Sequence, residues 1–322
     1  MQNSKVSGST GGWRSRAPVT HDHIFGVIRT LLQDGSLSPP TGRPLRILDI
    51  GCGDGRLMDS LMRLAEAEMP ERAIEIYGFD IGEQGYRDDH QKNEAEDHLT
   101  QCHPRVQWRD RIKIVSDTAP WGYAEGFFDI AVSNQVIEHV RDLDGFLDNM
   151  QHSLNRAGAS IHLFPLSHCI PEAHCLVPFA HWIADFDYRV GWISLMSKIG
   201  IGRFRADRKT LGHDTPAIHA FETAKYIQCW TSYRSFSQIS VACSAKNMSI
   251  SYHFTKDFFF TKARHQLGRQ RKKHYGKWTA FGFEWLTFTI GKYLSSSTLI
   301  IRPVDYDIGK RIAAEKRAKA PQ

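Results

Sequence analysis

No apolar run in this 322-residue chain approaches the ~20 residues that a helix needs to cross a bilayer. The six cysteines stand apart with no CxxC pair among them, so neither a zinc knuckle nor a disulfide framework is indicated. A reducing, cytoplasmic compartment is the expectation. The N-terminus is polar and glycine-rich without the apolar centre of a signal peptide, and residues 1–20 are expected to be a disordered tail. There is no large excess of one charge: 41 Lys and Arg against 35 Asp and Glu leave +6. No internal repeat is visible. A hydrophobic content of 41% and a charged content of 24% are ordinary for a soluble globular protein, and the length allows one large domain or two small ones.

What is present is concentrated in the run Arg46-Ile47-Leu48-Asp49-Ile50-Gly51-Cys52-Gly53-Asp54-Gly55. Residues suited to a buried strand lead into three glycines spaced two apart. Glycine at alternate positions lets the backbone turn tightly and approach a ligand with no Cβ in the way. The stretch from Arg56 to Leu64 places apolar residues at helical spacing, so the loop feeds a helix N-terminus. A dinucleotide fingerprint needs its third glycine three residues after the second. That position is Arg56 here, and Gly55 comes one residue earlier. The spacing favours S-adenosylmethionine (SAM) over NAD or FAD.

The run resembles the first motif of the class I SAM-dependent methyltransferases, and four further segments continue the likeness in order. Ile74 to Asp80 is similar to their second strand, ending in an acid for the ribose hydroxyls. Ile112 to Thr118 resembles the third strand and its adenine-side turn. Phe128 to Val140 resembles the fourth strand and the turn after it, and Ser160 to Pro165 the fifth. The resemblance covers roughly residues 44–166. It implies cofactor contacts from Asp49, Gly51, Cys52, Gly53 and Gly55, from Asp80 and Ile81, from Asp117 and Thr118, and from Asn134 and Gln135. The fold expected is α/β: a doubly wound, Rossmann-like, seven-stranded sheet with an inserted cap after the fifth strand.

On this reading residues 21–165 are the SAM-binding core, 166–232 an inserted substrate cap, 233–305 the completion of the same sheet, and 306–322 a basic tail. A helix is expected over 23–32, and another over 143–154 stopped by Gly158 in the left-handed conformation. After Pro165 the strand–helix rhythm breaks. It returns with a helix over 236–243, an alternating strand over 248–254 and a last strand over 298–303, the two late strands forming an antiparallel pair.

Between Pro165 and Trp182 lie three histidines, two cysteines and a glutamate, at the edge where open α/β sheets bind ligands. A similar Glu-x-His…Pro-Phe-x-His pattern occurs here in a subset of the family tied to bacterial glycan and small-metabolite modification. His174 and His181 are the expected general bases, with His139 and Glu172 next. The spacings of His168, His174 and His181 match no zinc motif, and no metal is expected. The run 262–277 is basic and is followed by Phe281, Phe283, Trp285 and Phe288. It is expected to be largely exposed, either as a solvated helix face or as a contact for an anionic membrane surface or a phosphorylated carrier. Asn134-Gln135-Val136-Ile137 stands where base-amine methyltransferases carry Asn/Asp-Pro-Pro-aromatic, which argues against nucleic acid. The expected activity is O-methylation of a small metabolite, glycan or lipid-linked intermediate. A nucleic-acid methyltransferase and a non-catalytic SAM-binding protein remain the alternatives.

Overall fold

The computed structural model describes residues 17–81, 89–116, 119–271, 275–276 and 281–304. Seven strands form one sheet: β1 Leu45–Ile50, β2 Ile74–Ile81, β3 Ile112–Val115, β4 Phe128–Asn134, β5 Leu154–Phe164, β6 Met248–Ser251 and β7 Ser297–Pro303. Their order is β3-β2-β1-β4-β5-β7-β6. The first five run parallel, and β7 is antiparallel to both β5 and β6. This is the doubly wound, Rossmann-like seven-stranded sheet expected from the sequence. The carboxyl ends of five strands therefore open on one edge, on either side of β1, where the chain order reverses.

Strand alternation sorts the core into two layers. Ile47, Ile76, Ile130 and Ile161 face one cluster, which is covered by α1 Val19–Gln33, α2 Arg56–Glu68 and Phe258 and Phe259 of α9 Thr255–Gln266. Leu48, Ile50, Phe79, Leu299 and Ile301 face the other, under α4 Leu143–Ser153 and α8 Phe236–Ala245. Each such aliphatic side chain stabilises the fold by about 1.5–3 kcal/mol on burial, so the strands are held from both faces. Asp142 caps α4, and Ser235 with Gln238 forms a capping box on α8.

Between β2 and β3 lies α3 Asp89–Cys102. Residues 166–232 contain α5 Phe186–Lys198, α6 Phe204–Thr210 and α7 Pro216–Trp230, which share a small apolar cluster built on Val177, Ile193, Ala220 and Ile227. A final helix, α10 Phe281–Leu294, packs against α9 and leads into β7. No described helix is long and apolar enough to cross a membrane.

Several local expectations need correction. Val19 and Thr20 already belong to α1, so the expected tail is shorter than residues 1–20. The expected strand through Phe254 ends at Ser251, because Phe254 is drawn into the core as α9 begins. Gly158 stops no helix: α4 ends at Ser153, β5 begins at the next residue, and Gly158 lies within that strand. What requires glycine there is close approach. A Cβ on Gly158 would sit 2.9 Å from the carbonyl oxygens of both Asn155 and Asp129. Gly158→Ala is therefore expected to destabilise the protein by about 1–3 kcal/mol, measured by denaturant unfolding.

The basic run is not uniformly exposed. Arg271 is buried between Asp22 of α1 and Glu68 of α2, and Tyr275 is buried beside it. Lys262 is partly buried and donates to Ser295 Oγ at 2.7 Å. His265 and Arg271 thus tie this segment to α1 and α2. The basic tail from residue 306 lies outside the described residues.

Candidate active site

The glycine loop leaves β1 with Gly51, Gly53 and Gly55 all at positive φ (+69°, +54° and +77°), a backbone region that L side chains rarely adopt. At Gly51 a Cβ would also lie 2.6 Å from Val136 Cγ2, so the turn after β4 packs directly on the loop. Gly51 and Cys52 donate their amides to Phe79 O, tying the loop to the end of β2. Asp80 Oδ2 accepts the Gly53 amide at 2.8 Å, and its Oδ1 accepts the Ile81 amide at 2.8 Å. A carboxylate has about four acceptor sites, and Asp80 spends two of them on fixing the loop and the end of β2. The Cys52 thiol points into the core against Gly78, and burial pushes it well up. Cys52 shapes the loop and offers no side chain to a ligand.

Two buried oxygens at this edge, Asp49 Oδ2 and Asn134 Oδ1, have no partner among the described residues. Burial, then the negative charges of Asp80 and Asp54, raise the Asp49 carboxyl well above the usual range. Unmatched acceptors converging on a glycine turn suit a ligand bearing a cationic amine, as the methionyl end of SAM does. Gln135, also at positive φ (+61°), turns its side chain away to Ser296 Oγ at 2.8 Å. Asp117 and Thr118, expected at the adenine side, lie outside the described residues.

Three residues beyond Val136, a second constellation begins. His139 Nδ1 bonds Trp230 O at 2.7 Å; a carbonyl only accepts, so Nδ1 carries the proton and Nε2 presents its lone pair. His174 Nε2 lies 3.3 Å from it. On the other side of that ring, His174 Nδ1 meets Glu172 Oε1 at 2.7 Å. Tyr233 donates to the same oxygen at 2.5 Å, and Glu172 Oε2 accepts the amides of His174 and Cys175, each at 2.8 Å. Burial alone would push the Glu172 carboxyl up. The hydrogen bond and charge of His174, the Tyr233 hydroxyl and the Cys175 amide overcome that and hold it at about 2. Burial, followed by the Glu172 charge, raises Tyr233, which stays protonated as a donor. Burial lowers His139 against the pull of the Trp230 carbonyl. The chain Glu172–His174–His139 thus sets two imidazole Nε2 atoms face to face, with a fixed carboxylate behind one of them. His174 keeps 26% of its side chain exposed, so one side is reachable.

His181 stands outside this chain. Its Nε2 faces Ser167 O at 3.2 Å, its ring lies on Tyr233 with centroids 4.6 Å apart, and burial lowers its pKa. Glu138 is buried, neither of its carboxylate oxygens has a partner among the described residues, and burial, reinforced by Glu172, lifts it to about 8. Because the raised value belongs to the folded state, Glu138 favours folding at low pH and loses that contribution as pH rises from about 4.5 through about 8. The wild type should therefore lose stability relative to Glu138→Gln across that window, by up to about 1.4 kcal/mol per pH unit. Melting temperatures of the two proteins across the window check this. Tyr233 and the Trp230 carbonyl were not legible in the sequence, since nothing in their spacing ties them to residues 59–91 positions away.

The sequence matches the Methyltransferase domain family over residues 21–203, more than half its length. The chain belongs to that family of methyltransferase domains. No curated protein sequence matches it. Among solved structures it is similar to phosphoethanolamine N-methyltransferase 2 of Haemonchus contortus, at 13% identity and TM-score 0.44 over 88% of this chain. That match spans about half (52%) of the nematode enzyme. It is also similar to geranyl diphosphate C-methyltransferase of Streptomyces coelicolor A3(2), at 10% identity and TM-score 0.42, covering 85% of this chain and 76% of that one. A third, PKMT2 of Rickettsia typhi, gives 15% identity and TM-score 0.45, covering 88% and 52%.

Proposed function

We propose that this methyltransferase O-methylates a small metabolite, a glycan or a lipid-linked intermediate, with residues 166–232 acting as the cap that holds the acceptor. The observation carrying this reading is the Glu172–His174–His139 chain, set three residues beyond the side chain that packs on the glycine loop. Bound in the cradle formed by Asp49, Gly51, Gly53, Gly55, Asp80, Ile81, Asn134 and Gln135, SAM supplies a methyl group on a sulfonium, open to in-line displacement. A hydroxyl acceptor must lose its proton as the new bond forms.

His174 and His139 receive that proton at their facing Nε2 atoms. Glu172 balances the positive charge, while the Trp230 carbonyl and Tyr233 keep both rings in the required tautomer and orientation. The burial of Arg271 interrupts the basic strip that a nucleic acid would follow, so the small-molecule or glycan acceptor is favoured. Demethylated cofactor released in the presence of a panel of sugars, phenols and lipid-linked glycans tests the reading, with the methylated atom located by NMR. A product methylated on nitrogen or carbon overturns O-methylation, and SAM binding without turnover on any acceptor favours a binding protein.

A further inference from the structure

The outer side of α10 carries Trp285, Leu286, Ile290, Tyr293 and Leu294, between 42% and 54% exposed. Their spacing places them on one stripe of the helix. The opposite side is pinned to the protein: a Cβ on Gly291 would fall 2.5 Å from Phe259 Cγ, and Phe288 packs on the same ring. The stripe continues into the cap. Tyr293 O accepts the Ile170 amide, Lys292 O bonds His168 Nε2 at 3.0 Å, and Ile170 O accepts the Phe179 amide at 2.7 Å. Phe179 in turn lies on Trp182, with centroids 5.0 Å apart.

The turn that joins this apolar stripe is conformationally costly. Leu176 and Phe179 both hold positive φ, +56° and +64°, which is unfavourable for bulky side chains. Neither is rewarded by burial, since Leu176 is 52% and Phe179 39% exposed. The turn is closed by a Pro171–Pro178 bridge and by the Glu172 carboxylate on the amides of His174 and Cys175. One carboxylate therefore orients the proton-accepting histidine and holds the turn that presents Leu176 and Phe179.

We propose that α10, the Leu176–Phe179 turn and Trp182 form a membrane-docking face that seats the acceptor side of the enzyme on an anionic lipid surface. The chemistry matches that partner. Trp and Tyr are side chains favoured at the boundary between headgroups and acyl chains. Among the described residues, Lys292 lies over the Tyr293 ring and Lys262 reaches Ser295 just past the stripe, so cations flank its C-terminal end and complement anionic headgroups. In a symmetric pairing of two copies through this face, the same cations would be brought toward one another. The anionic-surface contact expected for the basic run is thereby moved to α10 and the cap. Its functional meaning rests on the acceptor reading above: a hydroxyl carried by a lipid would reach His174 from the bilayer side.

Docking is measurable without turnover, so its failure and the failure of the acceptor reading are separate results. Full-length protein should co-float with phosphatidylcholine vesicles containing phosphatidylglycerol. The double variant Trp285→Ser/Ile290→Ser should bind them about 10- to 100-fold more weakly, and the single variant Leu286→Asp should also lose affinity. All three proteins should bind SAM equally in calorimetry, which shows that the substituted chains are folded. Wild-type protein that stays with the soluble fraction, or variants that float as well as wild type, would overturn the proposal. A wild-type dimer in light scattering that the double variant converts to monomer, with no flotation by either, would assign the face to a second copy instead.

Discussion

Replacing His174 by Ala is expected to lower methyl turnover by about 10²- to 10⁴-fold while SAM affinity stays at its wild-type value. The Nε2 atoms of His174 and His139 face one another at 3.3 Å, and each ring's other nitrogen is committed, to Glu172 and to Trp230 O. Removing either imidazole removes the shared position for the acceptor's proton. His139→Ala should therefore cost about as much, and the double variant little more than either alone, because the pair acts as a unit. Glu172→Gln keeps the shape but loses the negative charge that stabilises the protonated pair, so it should also slow the reaction. His181→Ala should have the smallest effect of the set, since that ring rests on Tyr233 and points to Ser167 O. Release of demethylated cofactor from each variant, assayed beside wild type, measures these effects. Near wild-type turnover in both His174→Ala and His139→Ala would place the base elsewhere.

Asp80→Ala is expected to weaken SAM and its demethylated product by about 10- to 100-fold, the equivalent of losing charge-assisted hydrogen bonds worth about 1.5–3 kcal/mol. The loss has two sources here. On the proposed reading the carboxylate takes the ribose hydroxyls, and it also fixes the Gly53 and Ile81 amides. Asp80→Asn separates them, because the amide oxygen can still accept one backbone bond while the charge is gone. Calorimetry on the three proteins reads the result directly. Full-strength binding by Asp80→Ala would show that another acid holds the ribose.

The parts of this protein legible in its sequence share a property: their signals are local. The Ile47-Leu48-Asp49-Ile50 strand and the alternate glycines after it encode a buried strand and a tight turn within ten residues, whatever surrounds them. The later strands repeat that pattern in the order that a doubly wound sheet requires. Where local pattern was weighed against packing, packing prevailed. Gly158 reads as a helix stop, but the constraint on it is the approach of the Asn155 and Asp129 carbonyls, and the second of these comes from a neighbouring strand. Arg271 reads as one more cation in an exposed run, yet Asp22 and Glu68 draw it inward from helices more than 200 residues earlier. His174 and Glu172 stand out by residue type, but His139 is 35 positions from His174 and Tyr233 is 61 from Glu172.

By itself, then, the sequence determined the sheet, the glycine turn and the acid that supports it, because each is set by the preferences of consecutive residues. Which imidazoles face one another, which carboxyls are charged and which apolar helix face is exposed among the described residues are set by tertiary contacts. Those properties depend on burial and on hydrogen-bond partners contributed by distant segments, and no spacing along the chain records them.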